Sequence, residues 1–261
     1  MVRNLPLTRA EIELDDLGEG SPILLLHGFP ATRRLWSQVA PVLAEIRYRV
    51  IVPDLVGYGA SRAKDEARVD MVSQARWLWE LLDTLRIDRP TIVAHDVGSA
   101  AAQLMVASAP TRARGLAILD GVYRTEWAMD AVESIRAWDV SNAERLIPVL
   151  TRRLGKSPGM KEILTAYAGE EGGKRLIRAA RDLDPSQTAD IGDSLRKAAV
   201  PYLVLWGKDD RYLDIDTVGR PLAEMLNAPL TVLPGGHFTP LDCPEAVCDA
   251  LLEFLGKCES A

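Results

Sequence analysis

The chain contains three histidines, His27, His95 and His237. If the protein performs a hydrolysis that needs an imidazole base, the base is one of these. Around them stand carboxylates from distant parts of the chain: Asp54, Asp96, Asp120, Asp209 and Asp210. The stretch Ala94-His95-Asp96-Val97-Gly98 is the most suggestive. Its small residues at 94 and 98 allow a sharp turn that pushes the residue between them outward. That residue is an acid. No Gly-x-Ser-x-Gly occurs anywhere, and the nearest match, Gly59-Ala60-Ser61-Arg62-Ala63, reads as a surface loop. Taken singly, each acid or histidine is most simply a cap or turn residue. Their joint placement requires the elements that carry them.

The first half alternates strand and helix signals. Strands are expected at Ile12–Leu14, Pro22–His27, Tyr48–Val52, Thr91–His95 and Gly115–Asp120, several of them continuous apolar runs suited to a buried parallel sheet. Helical spacing appears at Leu35–Ile46, Asp70–Leu85 (with Asp70 as N-cap) and Gly98–Ala109. From Gly121 to about Lys197 only helical patterns occur, and this stretch is too long for a connection. Strand signals return at Pro201–Trp206 and Leu230–Leu233, with helices near Asp216–Leu226 and Pro244–Leu255. The pattern predicts a mostly parallel sheet with helices on both faces and a helical cap between two strands. Residues 1–120 and 198–261 form the two parts of the core, and 121–197 the cap. Ligands of such sheets bind at the carboxyl ends of the strands. There the sequence delivers His27-Gly28-Phe29-Pro30, Asp54, Asp96, Asp120, Asp209-Asp210 and Gly235-Gly236-His237.

Composition narrows the partners. The 261 residues are 48% hydrophobic and 26% charged, as in an ordinary globular domain, with net charge −6. No basic patch points to nucleic acid. Apolar runs such as Ile23–Leu26 are far too short to cross a bilayer, so no membrane association is expected. Met1–Leu7 has no apolar core of a secretory signal. Cys243, Cys248 and Cys258 form neither a metal-ligand spacing nor a disulfide framework. A cytoplasmic location without metal or cofactor is the expectation. The partners expected are a small apolar molecule and water, and oligomeric state is not legible.

The ordered motifs resemble the α/β-hydrolase superfamily, and within it the aspartate-nucleophile branch of epoxide hydrolases and dehalogenases. They are His27-Gly28-Phe29-Pro30, Pro53-Asp54-Leu55-Val56-Gly57-Tyr58-Gly59-Ala60-Ser61, His95-Asp96-Val97-Gly98, Trp206-Gly207-Lys208-Asp209-Asp210 and Gly235-Gly236-His237-Phe238. With their spacing they span the chain outside the cap, in the order nucleophile, acid, histidine. The resemblance implies an α/β-hydrolase fold with the cap inserted after the sixth strand. It implies that Asp96 is the nucleophile and forms a covalent alkyl ester. His237 then activates the water that hydrolyses this ester, and an acid fixes its tautomer. Asp210 occupies the usual place of that acid, and Asp120 is the alternative. The backbone N–H groups of Phe29 and Val97 are the expected oxyanion hole. His27 is expected to tie down the oxyanion loop, and His95 to point away from the nucleophile.

The bond broken is less determined. Many haloalkane dehalogenases carry Trp after the nucleophile, and fluoroacetate dehalogenases carry Arg; here it is Val97. Epoxide opening needs acidic donors in the cap, for which Tyr123 and Tyr167 are candidates. No cap histidine exists, so a His–Tyr pair is excluded. A dehalogenase would instead use the indole N–H of Trp127 or Trp138. All four residues could equally be packing residues. The reading favours epoxide hydrolysis to a diol. Carbon–halogen hydrolysis is the alternative, and a noncatalytic or non-hydrolytic homologue a further one.

Overall fold

A computed structural model describes residues 1–65 and 67–260. Eight strands make one sheet: β1 (Val2–Pro6), β2 (Ala10–Leu17), β3 (Ser21–Leu26), β4 (Tyr48–Pro53), β5 (Thr91–His95), β6 (Gly115–Leu119), β7 (Tyr202–Gly207) and β8 (Leu230–Leu233). Their spatial order is β1-β2-β4-β3-β5-β6-β7-β8. The two-residue segment Arg62–Ala63 pairs with β2 off this path. β1 and β2 are antiparallel to their neighbours, and all later pairings are parallel. The central strands β5 and β6 are buried at every position, which explains their unbroken apolar character.

Two helical layers cover the sheet. α2 (Met71–Thr84) packs on α3 (Gly98–Ser108), and α1 (Ala40–Glu45) packs on α11 (Pro244–Glu259). Asp70 caps α2 by accepting the Ser73 N–H at 2.9 Å. α3 is almost wholly buried, and its run of Ala and Gly lets it lie close on the sheet.

The chain between β6 and β7 is helical: α4 (Met129–Arg136), α5 (Leu146–Leu154), α6 (Met160–Leu164), α7 (Gly169–Asp182) and α8 (Gly192–Lys197). An isolated bridge, Tyr123 with Glu126, is its one extended pairing among the described residues. After β7 come α9 (Arg220–Leu226) and, beyond β8, the short α10 (Thr239–Asp242).

Two expectations need correction. The strand at Ile12–Leu14 is longer, and β1 precedes it; β1 has no fully buried residue, so its sequence lacks an apolar face to read. The helix expected over Leu35–Ile46 divides into a 3₁₀ turn, Arg33–Trp36, and α1. Pro41 sits in the first turn of α1, where its missing N–H is tolerated, and its ring disfavours helix before it.

Asp54, at the end of β4, is held by structure. It accepts the Arg33 N–H at 2.7 Å, the Arg33 guanidinium at 2.6 Å and the Ala60 N–H at 2.8 Å. Arg33 also pairs with Glu13 at 2.5 Å and Asp15 at 3.3 Å. This network joins β2, the loop after β3 and the loop after β4. Among the described residues no helix is long and apolar enough to cross a membrane. All three cysteines are free thiols.

Candidate active site

Strand register brings the chemical residues together. Leu26 pairs with Ala94, Ala94 with Ile118, Leu119 with Leu205, and Gly207 with Leu233. The residues that follow these strands therefore emerge along one edge. Asp96 turns with φ 50°, in the left-handed region that a non-glycine residue rarely adopts. Its neighbours make the turn possible. A Cβ on Gly98 would come within 2.3 Å of the His27 carbonyl, and one on Gly28 within 2.4 Å of the Asp96 carboxylate.

The Asp96 carboxylate is 5% exposed in the residue as a whole. Its Oδ2 accepts the Phe29 N–H at 2.8 Å, and the Val97 N–H also bonds to the carboxylate. Both expected oxyanion donors thus converge on Asp96. Burial pushes its pKa up, opposed by His237 and these two N–H groups.

His237 follows β8 and lies between two acids. Its Nδ1 is 2.8 Å from Asp210 Oδ2, and its Nε2 is 3.9 Å from Asp96 Oδ1. The first is a hydrogen bond; the second is too long for one. Asp210 is itself fixed, since its Oδ1 accepts the N–H groups of Tyr212 at 2.8 Å and Leu213 at 3.1 Å. Burial alone would lower the His237 pKa. The hydrogen bond and charge of Asp210, with Asp96 and Asp120, outweigh it and hold His237 up at about 9.

Asp120, the alternative acid, is bonded elsewhere. Its Oδ1 accepts the Gly207 N–H at 2.6 Å and its Oδ2 the Thr239 hydroxyl at 2.5 Å. Burial, with the charge of Asp210, raises it to about 8 against the pull of His237. The geometry pairs His237 with Asp210.

The other histidines have separate partners. His27 Nε2 accepts the Leu55 N–H at 3.0 Å, so its Nδ1 carries the proton and donates to the Gly28 carbonyl at 2.9 Å. This ties the loop after β3 to the loop after β4. His95 Nε2 donates to the His237 carbonyl at 2.7 Å, while its buried Nδ1 has no partner. Burial and the nearby His237 push the His95 pKa well down.

An apolar cavity of about 50 Å³ opens above Asp96, walled by Phe29, Trp127, Val132, Ile135, Leu150 and Phe238 among others. Cap and core both contribute. Not all the expected cap residues reach it. Tyr167 is fully buried, donates to the Ala31 carbonyl at 2.9 Å and receives the Gly59 N–H at 3.4 Å. Tyr123 lines a separate surface cleft. Trp138 is off the cavity wall, and its indole N–H donates to the Asn142 carbonyl at 3.1 Å. Trp127 does form wall, but its N–H donates to the Arg124 carbonyl at 3.0 Å and Thr188 Oγ1 at 3.1 Å. Its ring faces the cavity and its donor is engaged.

Two polar wall residues were not foreseen from the sequence, Tyr212 and Arg153. The Tyr212 ring meets His237 edge-on, with centroids 5.1 Å apart, and its hydroxyl makes no hydrogen bond among the described residues. The signal lay in its position two residues after Asp210, on the same loop. Arg153 lies three residues after Leu150 on α5, hence on the same helical face.

Comparison with known proteins adds to this geometry. A family model described as the alpha/beta hydrolase fold matches residues 21–147. The match covers just under half of the chain and points to the fold of the α/β hydrolases. Its sheet order, with the mostly parallel strands flanked by helices, is an α/β-hydrolase fold. Among curated α/β hydrolases and their kin, it is 29% identical to a fluoroacetate dehalogenase of Burkholderia sp, covering 93% of this chain and 90% of that one. It is also 29% identical to a haloalkane dehalogenase of Psychrobacter cryohalolentis, over 94% of this chain and 88% of that one. Among solved structures, a presumed epoxide hydrolase of Pseudomonas aeruginosa superposes with TM-score 0.77 at 25% identity, covering 100% of this chain and 96% of that one.

Proposed function

We propose that this α/β hydrolase works through a covalent alkyl ester on Asp96 and that it opens epoxides to diols. The observation carrying this reading is the position of Asp96 on the strained turn. Phe29 N–H holds its Oδ2, while its Oδ1 faces His237 and the cavity. Oδ1 attacks an epoxide carbon in line with the breaking C–O bond. The new Oδ1–C bond forms as the epoxide oxygen leaves with the electron pair and takes a proton from Tyr212. Tyr212 supports this step because its hydroxyl lies on the cavity wall without a competing acceptor. Water then attacks Cγ of the ester. His237 Nε2 takes the water proton, and the negative charge developing on Oδ2 is met by the N–H groups of Phe29 and Val97. Each such donor contributes about 3 kcal/mol to the barrier reduction. The tetrahedral intermediate collapses by breaking Cγ–Oδ1. The diol oxygen leaves with the electron pair and takes the proton of the newly added hydroxyl, which leaves Asp96 a carboxylate. The proton on His237 passes through solvent to the Tyr212 phenolate.

The charges fit the two half-reactions. Asp96 is one source of the high His237 pKa. Ester formation removes that charge, so the imidazole gives up its proton more readily when it must act as a base.

A second reading, carbon–halogen hydrolysis, is favoured by the two dehalogenase relatives. It uses the same ester, with halide as leaving group. Against it, the indole N–H groups of Trp127 and Trp138 are bonded to protein acceptors.

The test is intact-mass measurement of His237→Gln protein exposed to a panel of small epoxides, haloalkanes and haloacids. An adduct on Asp96 is expected with epoxides, and Tyr212→Phe should slow its formation. Adducts only with halides would replace epoxide opening by the second reading. Absence of any adduct with a compound that the wild type consumes would overturn the covalent mechanism.

A further inference from the structure

The cavity wall is apolar except for four side chains with ionisable groups: Asp96, His237, Tyr212 and Arg153. The first two face each other at the floor. Tyr212 is the proton donor proposed above, which leaves Arg153. Arg153 stands in the last turn of α5, on the face that carries Leu150 and Leu154 to the cavity wall. Its stem therefore lies along the apolar wall while its guanidinium reaches solvent at the rim. It forms no ion pair among the described residues, and its one hydrogen bond, to Ser134 Oγ, is 3.5 Å long. Other cap arginines are more firmly engaged: Arg181 donates to the carbonyls of Arg136 and Trp138, at 3.0 and 3.2 Å.

We propose that Arg153 forms an anion subsite at the mouth of the cavity, so that the substrate is a small apolar molecule ending in a carboxylate. Its reactive carbon faces Asp96, and its carboxylate meets the guanidinium. This deepens the reading given under Proposed function and rests on it for the reactive end alone. A guanidinium fork matches a carboxylate in geometry and donor count. Asp96 and Asp210 stand at the inner end of the site with only His237 between them, so an anionic group is better held at the outer end. Arg153 and Arg211 both act electrostatically on Tyr212, against Asp210, so two cations stand at this rim in a chain of net charge −6. The small cavity leaves room for roughly four waters at about 12 Å³ each, which suits a substrate of a few heavy atoms.

The probes are propionate and propionamide, which share a shape and differ in charge. Binding to the wild type by NMR titration at low salt should favour propionate about tenfold, or about 1.4 kcal/mol. The preference should shrink as salt is added. Arg153→Met keeps the stem against the wall and should abolish it; Arg152→Met makes the same charge change next door and should leave it. Equal binding of the two probes to the wild type overturns the subsite, as does equal loss in both variants. A kinetic arm separates this from the catalytic reading. With glycidate and propylene oxide as substrates, Arg153→Met should raise KM for glycidate about tenfold relative to KM for propylene oxide, and Arg152→Met should leave that ratio unchanged. If neither epoxide is opened while the charge preference in binding persists, epoxide opening fails and the subsite stands.

Discussion

Asp210 and Asp120 both approach His237, yet only Asp210 is bonded to its ring, at 2.8 Å. Asp120 spends its two oxygens on the Gly207 N–H and the Thr239 hydroxyl. Orientation of the imidazole is thus assigned to Asp210, and the consequence is measurable. Asp210→Asn should lower kcat by roughly three to four orders of magnitude, as loss of the tautomer-fixing carboxylate does in comparable sites. Asp120→Asn should keep most of the activity, because an amide oxygen can still accept from Gly207 and the φ of 43° suits Asn. Steady-state assays of the two variants decide the matter; the reverse pattern would transfer the role to Asp120. The sequence narrowed the acid to these two because both follow central strands. It could not choose between them, since the choice depends on where β8 delivers His237.

At the scale of elements, the legible part of the site was what strands deliver. Apolar runs and the small residues around Asp96 announced β3, β5, β6 and β7 and the turns after them, because burial on both faces leaves a strong sequence trace. The cap was legible only as a block of helices. Which of its faces lines the cavity depends on how helices sit over the sheet, and that is a long-range outcome. Hence Tyr167, an apparent donor, is consumed by the Ala31 carbonyl, while Arg153 reaches the wall. The loops after β3 and β4 are joined by the Arg33–Asp54 network, whose carboxylate is fully buried. Removing that acid leaves two backbone N–H groups without their acceptor and a largely buried guanidinium with only Glu13 and Asp15 as partners. Asp54→Ala should therefore destabilise the fold by about 3–5 kcal/mol, read as a lower urea midpoint. A change below about 1 kcal/mol would mean that the pair behaves as a surface salt bridge.

For the whole molecule, the buried site makes stability depend on pH. Asp120 holds its proton up to about 8 in the fold, against 3.8 for the ordinary group. His237 holds its proton up to about 9, against 6.5. Both pKa values are raised by folding. Their contributions are thus complete below the unfolded values and are lost as pH rises through the folded ones. Tm should fall from mildly acidic to alkaline pH, Asp120 acting between about 4 and 8 and His237 between about 6.5 and 9. In Asp120→Asn the decline between pH 5 and 8 should be shallower, as calorimetry across a buffer series would show. Parallel curves for the two proteins would mean that Asp120 ionises no differently in the native and unfolded chains.

The placement of the histidines has a spectroscopic consequence. All three belong to the site: His27 anchors the oxyanion loop, His95 holds the backbone of His237, and His237 faces Asp96. Imidazole resonances in an NMR spectrum of this chain consequently come from the site and nowhere else. Two lines belong to rings whose burial disfavours the charged form, and the third to the ring that takes a proton in the mechanism proposed above. The molecule carries its own site-specific label, with no background to subtract.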